Sequence, residues 1–238
     1  MKILIYTPFW KRPEIVREYV KSVERLKKVS WIDVRIMAIV SPEDPDFRKI
    51  VDSIHELRKR FKYVSIFPTR NTPLGAKKNA GLWLATSYDW DYLLELNSDS
   101  IVNCRLLDIY KPYMDKGVPF FGLKDLYVVD YATKETLFIP DYNSGMTYGA
   151  GRMMHRSIIR GRMWNDELNE GLDDNCRAGL EKRGIPDCPI ETDKPMLVEL
   201  KTHTTINHFT MLKALGNRRN QPKAQVIDYN KVSHVVSP

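Results

Sequence analysis

Three features of the 238-residue chain predict an α/β fold, with a mostly parallel central sheet flanked by helices and a small antiparallel part in the second half. Short continuous apolar runs alternate with amphipathic segments through the first hundred residues, as strands buried on both faces do. Each pair of runs is separated by enough chain for a helical crossover. Beyond Pro119 this alternation gives way to strand–turn–strand patterning, which is more antiparallel in character.

Residues 3–6 form the first strand and lead into "TPFWKRPE". Pro13 suits a helix start, where its missing N–H would be unpaired anyway. Ile15, Val16, Tyr19, Val20, Val23 and Leu26 then recur at helical spacing, with charges on the other face. Residues 34–40 are a second strand, followed by the turn-rich "SPEDPD". Phe47, Ile50, Val51, Ile54, Leu57 and Phe61 mark a second amphipathic helix, and residues 63–67 a third strand. The β-α-β-α-β order argues a Rossmann-like sheet.

"PTRNTPLGAKKNAGLWLA" then reads as a loop turning at Gly75 and a helix that buries Leu82, Trp83 and Leu84. Residues 92–101, "YLLELNSDSI", hold the fourth strand and end in a polar turn. Leu106, Leu107, Ile109, Tyr110 and Tyr113 lie on the next helix. In the second half, residues 119–140 read as strand, turn, strand, and "SGMTYGAGRMMHRSII" as a glycine loop running into a short helix. Leu172, Cys176 and Leu180 mark a helix that stops at Gly184, a favoured residue just past a helix end. Residues 196–200 form a late strand and 209–215 a last helix. The expected organisation is one domain over 1–216, with halves 1–102 and 103–216, and a basic tail over 217–238 that is disordered or packed loosely across the domain. No internal repeat or low-complexity segment interrupts it.

Hydrophobic content of 43% and charged content of 28% are those of a globular protein. No apolar run reaches the length of a membrane span, and the first residues lack a signal-peptide pattern, so a cytoplasmic location is expected. The three cysteines, Cys104, Cys176 and Cys188, are too few and too widely spaced for a disulfide framework or a C-x-x-C zinc site. The net charge of +7 suggests an anionic partner, either a polyanion or a phosphorylated small molecule.

In open α/β sheets, ligands sit beyond the carboxyl ends of the strands. Four clusters fall on that edge. Thr7, Pro8 and Arg12 follow the first strand, and Arg12 could hold a phosphate or stack on a base. In "LGAKKNAG", Gly75 permits close backbone approach, Lys77 or Lys78 supplies charge, and Asn79 can bond a ribose or base; the spacing is not that of a Walker A loop. Asn97, Ser98 and Asp99 offer oxygen ligands for a hard cation, although such residues also cap helices. Asp173 and Asp174 open a helix, where carboxylates are favoured by the dipole, and either could serve as a general base. His203 and His208, in the late "KTHTTINHF" loop, could complete a metal site, while a lone histidine is more often structural. Trp83, Trp164 and Tyr148 are core or sugar-stacking candidates.

The order of these pieces resembles the nucleotide-sugar-dependent glycosyltransferases of the GT-A fold, in particular the family-2-like group. "YTPFWKRPEIVREYVKSV" is similar to that group's opening strand, arginine-proline turn and first helix; "NTPLGAKKNAGL" to its glycine–basic–asparagine–glycine segment; and "YLLELNSDSIV" to its D-x-D strand. "YGAGRMMHRSII" resembles the acceptor-side glycine loop, and "WNDELNEGLDDNCRAGLEKRGI" the segment bearing the catalytic carboxylate. The likeness runs over about residues 1–210 in the correct order (a count along the chain).

The resemblance implies a metal-dependent transferase that moves a sugar from a nucleoside-diphosphate sugar to a hydroxyl acceptor, with inversion. Asp99 would bind Mn²⁺ or Mg²⁺, with His203 or His208 as a further ligand, and Asp173 or Asp174 would be the base. Thr7, Pro8, Arg12, Gly75, Lys78, Asn79, Asn97 and Ser98 would lie about the donor. One departure matters: Asn97 stands where the motif has its first aspartate and brings no charge to a cation. The acceptor is open, a polyanion such as hydroxymethylated DNA being one candidate, and so is the oligomeric state. The rival readings are a nucleotidyltransferase on a related fold, which would want a glycine-rich loop after the first strand, and a noncatalytic nucleotide- or sugar-binding module.

Overall fold

A computed structural model describes residues 1–26, 30–202, 209–214 and 223–236. The nucleotide-binding half runs β1 (Lys2–Pro8), α1 (Pro13–Leu26), β2 (Asp33–Val40), α2 (Phe47–Glu56), β3 (Tyr63–Pro68), α3 (Leu74–Ala85) and β4 (Tyr92–Glu95). β1 pairs in parallel with β2 on one side and with β4 on the other, and β3 extends the sheet beyond β2. α1 buries Ile15, Val16, Tyr19, Val20, Val23 and Leu26 on a single face, the spacing its sequence carries.

The chain then turns through Asn97–Asp99 into β5 (Ser100–Val102) and α4 (Leu106–Asp115). The remaining elements are β6 (Phe120–Leu123), β7 (Leu126–Asp130), β8 (Thr136–Ile139), β9 (Arg152–His155), α5 (Leu172–Glu181), β10 (Cys188–Ile190), β11 (Leu197–Lys201), α6 (Phe209–Lys213), β12 (Gln225–Ile227) and α7 (Asn230–Val236). The seven-stranded sheet has the order β10-β6-β9-β4-β1-β2-β3 and is parallel except for β9, which runs antiparallel to both its neighbours. A second sheet, ordered β12-β8-β7-β11-β5, packs beside it and brings the end of β11 against the Asn97–Asp99 turn. No helix among the described residues is long and apolar enough to cross a membrane.

Four expectations need correction. Residues 152–155 are a central strand rather than the start of a helix, and only a single 3-10 turn, Arg156–Ile158, follows. The reason is visible in the side chains: Met153 enters one core cluster and Met154 the other, on opposite faces of the sheet, as a period of two requires. Residues 119–140 supply three strands rather than two. Trp83 is 76% exposed, because α3 turns Gly81, Leu82 and Ala85 to the sheet and the 100° step carries Trp83 away from it. Finally, much of the expected tail is packed: β12 pairs with β8, and α7 buries Val232, Val235 and Val236 against α1, β5 and β11. Those three valines stand at i, i+3 and i+4, a helical stripe in a segment otherwise read as polar.

Candidate active site

β1 has its parallel partners β2 and β4 on either side, so a crevice opens beyond the carboxyl ends of these strands. A cleft of about 590 Å³ occupies that crevice. Five cationic side chains line it, Lys11, Arg12, Lys77, Lys78 and Lys201, against three carboxylates, Asp99, Glu170 and Asp173. A cleft with this excess of positive charge is suited to a polyvalent anion.

After β1 the backbone enters the left-handed region at Lys11 (φ 54°) and Arg12 (φ 57°), unusual for residues with a Cβ. Two such residues in succession cost on the order of 1–3 kcal/mol each and are held by surrounding contacts. The Lys11 N–H donates to Asp44 Oδ2 at 2.5 Å, and the Arg12 guanidinium donates to Asp99 Oδ2 (3.1 Å) and Ser98 Oγ (3.2 Å). The strain thus aims Arg12 across the cleft at the turn between the two sheets.

Asp99 is a meeting point. Its Oδ2 also accepts from Lys201 Nζ at 3.1 Å, and the same ammonium lies 2.6 Å from Glu199 Oε2. Asn97 Nδ2 donates to the other Glu199 oxygen at 3.1 Å. Burial would raise the Asp99 carboxyl, but Lys201 and then Arg12 outweigh it and hold it below the ordinary carboxylate range. Burial pushes Glu199 up, against the pull of Lys201. For Lys201 the burial penalty is outweighed by Asp99 and Glu199, so its proton is held more firmly than usual.

A second network lies under the cleft. Lys77 Nζ donates to Phe9 O (2.6 Å), Ser41 Oγ (2.8 Å) and Asn71 Oδ1 (3.1 Å), using all three ammonium protons. Burial pulls its pKa down to about 8 in spite of Asp44 and Glu43. Lys78 pairs with the buried Glu95 and sits over the Trp164 ring, 4.6 Å from its centroid. Glu95 Oε2 also accepts from Arg152 at 2.8 and 3.1 Å, and Arg152 reaches on to Asp173 Oδ1 at 2.9 Å. Burial works against Arg152's charge, but Glu95 and Asp173 more than compensate and raise its pKa.

The sequence-derived candidates divide into three groups. Pro8, Arg12, Lys78, Asn97, Ser98, Asp99 and Asp173 line the cleft together. Thr7 lies behind it, its hydroxyl 2.7 Å from Tyr19 Oη. Asn79 braces the 163–166 segment: it donates to Trp164 O and Asp166 Oδ1 and accepts from the Met163 and Trp164 amides, so its amide is committed away from any ribose. Gly75 serves the same contact, since a Cβ there would stand 1.8 Å from Asn165 O. Asp174 turns outward to pair with Arg177 at 2.9 Å. Trp164 and Tyr148 are buried, whereas Trp83 is remote from the lining. His203 and His208 lie outside the described residues.

Sequence reasoning missed Glu95, Arg152, Glu199 and Lys201. A signal existed for each: a charge embedded in a run otherwise apolar enough to be buried on both faces, as in "YLLEL", "GRMM" and "MLVELK". A charge in such a place needs a partner.

The ion implied by the GT-A resemblance needs several oxygen or imidazole ligands. Among the described residues no group of three or more His, Cys, Asp or Glu side chains converges to hold one. Beside Asp99 the coordinating carboxylates are already engaged, Oδ2 of Asp99 by two cations and both oxygens of Glu199 by Lys201 and Asn97. The described donor set does not fit a divalent cation.

No protein-family model and no curated protein matches the sequence. Solved structures do match in shape. S. aureus TarS, residues 1–349, superposes with a TM-score of 0.61 at 12% identity, over 84% of this chain and 60% of that one. Its complex with UDP gives 0.59 at 12% identity, over 85% and 61%. The mannosyltransferase PcManGT from Pyrobaculum calidifontis, in complex with GDP-Man and Mn²⁺, gives 0.60 at 10% identity, over 85% and 57%. This chain therefore spans roughly 60% of the length of those structures. What it shares with them is the mixed α/β, GT-A-like fold of nucleotide-sugar glycosyltransferases.

Proposed function

We propose that this chain is a glycosyltransferase that moves a sugar from a nucleoside diphosphate to a hydroxyl acceptor. The observation that carries the reading is a cleft at the carboxyl ends of β1 and β4 in which an excess of cationic side chains faces one half-exposed carboxylate, Asp173. The cations suit the diphosphate, and the fold's solved relatives include one bound to UDP and one bound to GDP-Man.

In the reaction, the acceptor O–H gives its proton to Asp173 while its oxygen bonds to the anomeric carbon. The bond from that carbon to the diphosphate oxygen breaks, and its electron pair leaves on the diphosphate. Fixed positive charge around the leaving group stabilises this developing negative charge without reorganisation. Attack assisted by a carboxylate on the face opposite the diphosphate inverts the anomeric centre. Asp174, turned to solvent and paired with Arg177, has no part in it. No step is routed through a divalent ion.

The basic balance of the chain, +7 overall, supports a polyanionic acceptor, for which hydroxymethylated DNA is the candidate. Affinity for such a polymer should fall steeply with salt, so a mobility shift unaffected by a salt series removes that candidate. The transferase itself is tested by incubating the protein with a panel of UDP, GDP and dTDP sugars. Release of nucleoside diphosphate from at least one supports it, and release from none, with no thermal stabilisation by any donor, overturns it.

A further inference from the structure

We infer that two side chains of the protein, Lys201 and Arg12, hold the diphosphate by charge-assisted hydrogen bonds, in the position where a divalent ion would otherwise be expected. The inference rests on the transferase reading above and specifies its binding chemistry.

Lys201 is delivered by strand geometry. β11 runs antiparallel to β5, and the Leu200 amide donates to Asp99 O at 2.9 Å, so the last residues of β11 lie directly beside the Asn97–Asp99 turn. Side chains at i and i+2 on a strand share a face, which brings Glu199 and Lys201 together toward that turn. The ammonium is held 2.6 Å from Glu199 and 3.1 Å from Asp99, yet it still borders the cleft. Arg12, in the turn after β1, reaches the same Asp99 oxygen and borders the same space.

Two carboxylates and two cations therefore make a closed set with no net charge. The carboxylates hold the cations in place, and both cationic side chains border the cleft. A divalent ion on Asp99 would have to displace Arg12 and Lys201 from Oδ2, and Lys201 from between its two partners. A diphosphate adds negative charge beside the two cations and completes their donor capacity. Asn97 fits this arrangement better than an aspartate would. Its amide donates to Glu199, whereas a carboxylate there would repel Glu199 and upset the balance.

The test is calorimetric titration of the full chain with UDP, GDP and dTDP, first in EDTA and then with excess Mn²⁺. The inference expects binding in EDTA, altered less than about threefold by Mn²⁺. Binding that appears only with Mn²⁺, or tightens more than about tenfold with it, overturns the inference and leaves the transferase reading standing. Binding to none of the three diphosphates under either condition overturns both. Lys201→Met should weaken binding in EDTA by at least about tenfold, and Lys201→Arg, which keeps the charge, should recover most of it. A folded Lys201→Met protein that binds as tightly as wild type overturns the inference. If that variant does not fold, the wild-type titrations decide alone.

Discussion

The guanidinium of Arg152, wholly buried, lies 2.8 Å from Glu95 Oε2 and 2.9 Å from Asp173 Oδ1, so one side chain ties the central strand β4 to the first turn of α5. The arrangement fixes the Asp173 carboxylate by one oxygen, on a residue that lines the cleft. Replacing Asp173 by Asn keeps the volume and removes the proton acceptor. Turnover is expected to fall by about 10²- to 10⁴-fold, the usual worth of a general base, with donor affinity nearly unchanged. Asp174→Asn is the control and should keep activity within about threefold. Equal losses in the two variants, measured as kcat and KM, would remove Asp173 from the mechanism.

Gly149 sets the other limit on Asp173. A Cβ at position 149 would stand 2.0 Å from Asp173 Oδ2, a separation that no pair of such atoms tolerates. Gly149→Ala must therefore push the carboxylate out of its seat or shift the loop that carries it. Misplacement by about 1 Å typically costs on the order of 10²-fold in rate, so kcat should fall by that order while donor binding survives. A Gly149→Ala enzyme with wild-type kcat would mean that the position of this carboxylate is immaterial.

The same network predicts an asymmetry in stability. Arg152→Met leaves Glu95 buried with Lys78 as its remaining cationic partner, and removing one member of a buried pair costs about 3–5 kcal/mol. Glu95→Gln together with Arg152→Met removes both charges. Urea denaturation should show the double variant to be less destabilised than the sum of the singles. Strict additivity would mean that the two groups do not interact.

The parallel half of the fold was legible because its strands are continuous apolar runs and its helices carry single apolar stripes. β9 escaped because Arg152 and His155 flank only two methionines, too short a run to reveal a period of two. α7 escaped because a polar context surrounded its three valines. At the site, Arg12, Asp99 and Asp173 were legible from residue type and position after strands or at a helix start. Their partners were not, because Glu95, Arg152, Glu199 and Lys201 come from segments up to about a hundred residues away, and only the folded chain reveals which charge neutralises which. Asn79 and Gly75 were singled out for chemistry, yet their contacts are architectural: both hold the 163–168 segment against α3.

Lys77 gives the cleft a pH dependence whose sign can be worked out. Burial sets its pKa at about 8 in the folded protein, against roughly 10.4 in an unfolded chain. Below pH 8 it is charged in both states, and the penalty for burying the charge is fully present. Between pH 8 and the unfolded value the unfolded chain binds a proton that the folded one lacks, so this group's contribution makes stability rise with pH across that window. Anion binding runs the other way. A diphosphate favours the charged ammonium, so its affinity should weaken as pH climbs through 8, and binding near pH 8 should draw a proton from solution. Calorimetry of UDP binding at pH 8 in two buffers of different ionisation enthalpy reads that uptake directly. Fractional uptake of up to about half a proton is expected for wild type and none for Lys77→Met. Uptake that persists undiminished in the variant would assign the titration to another group.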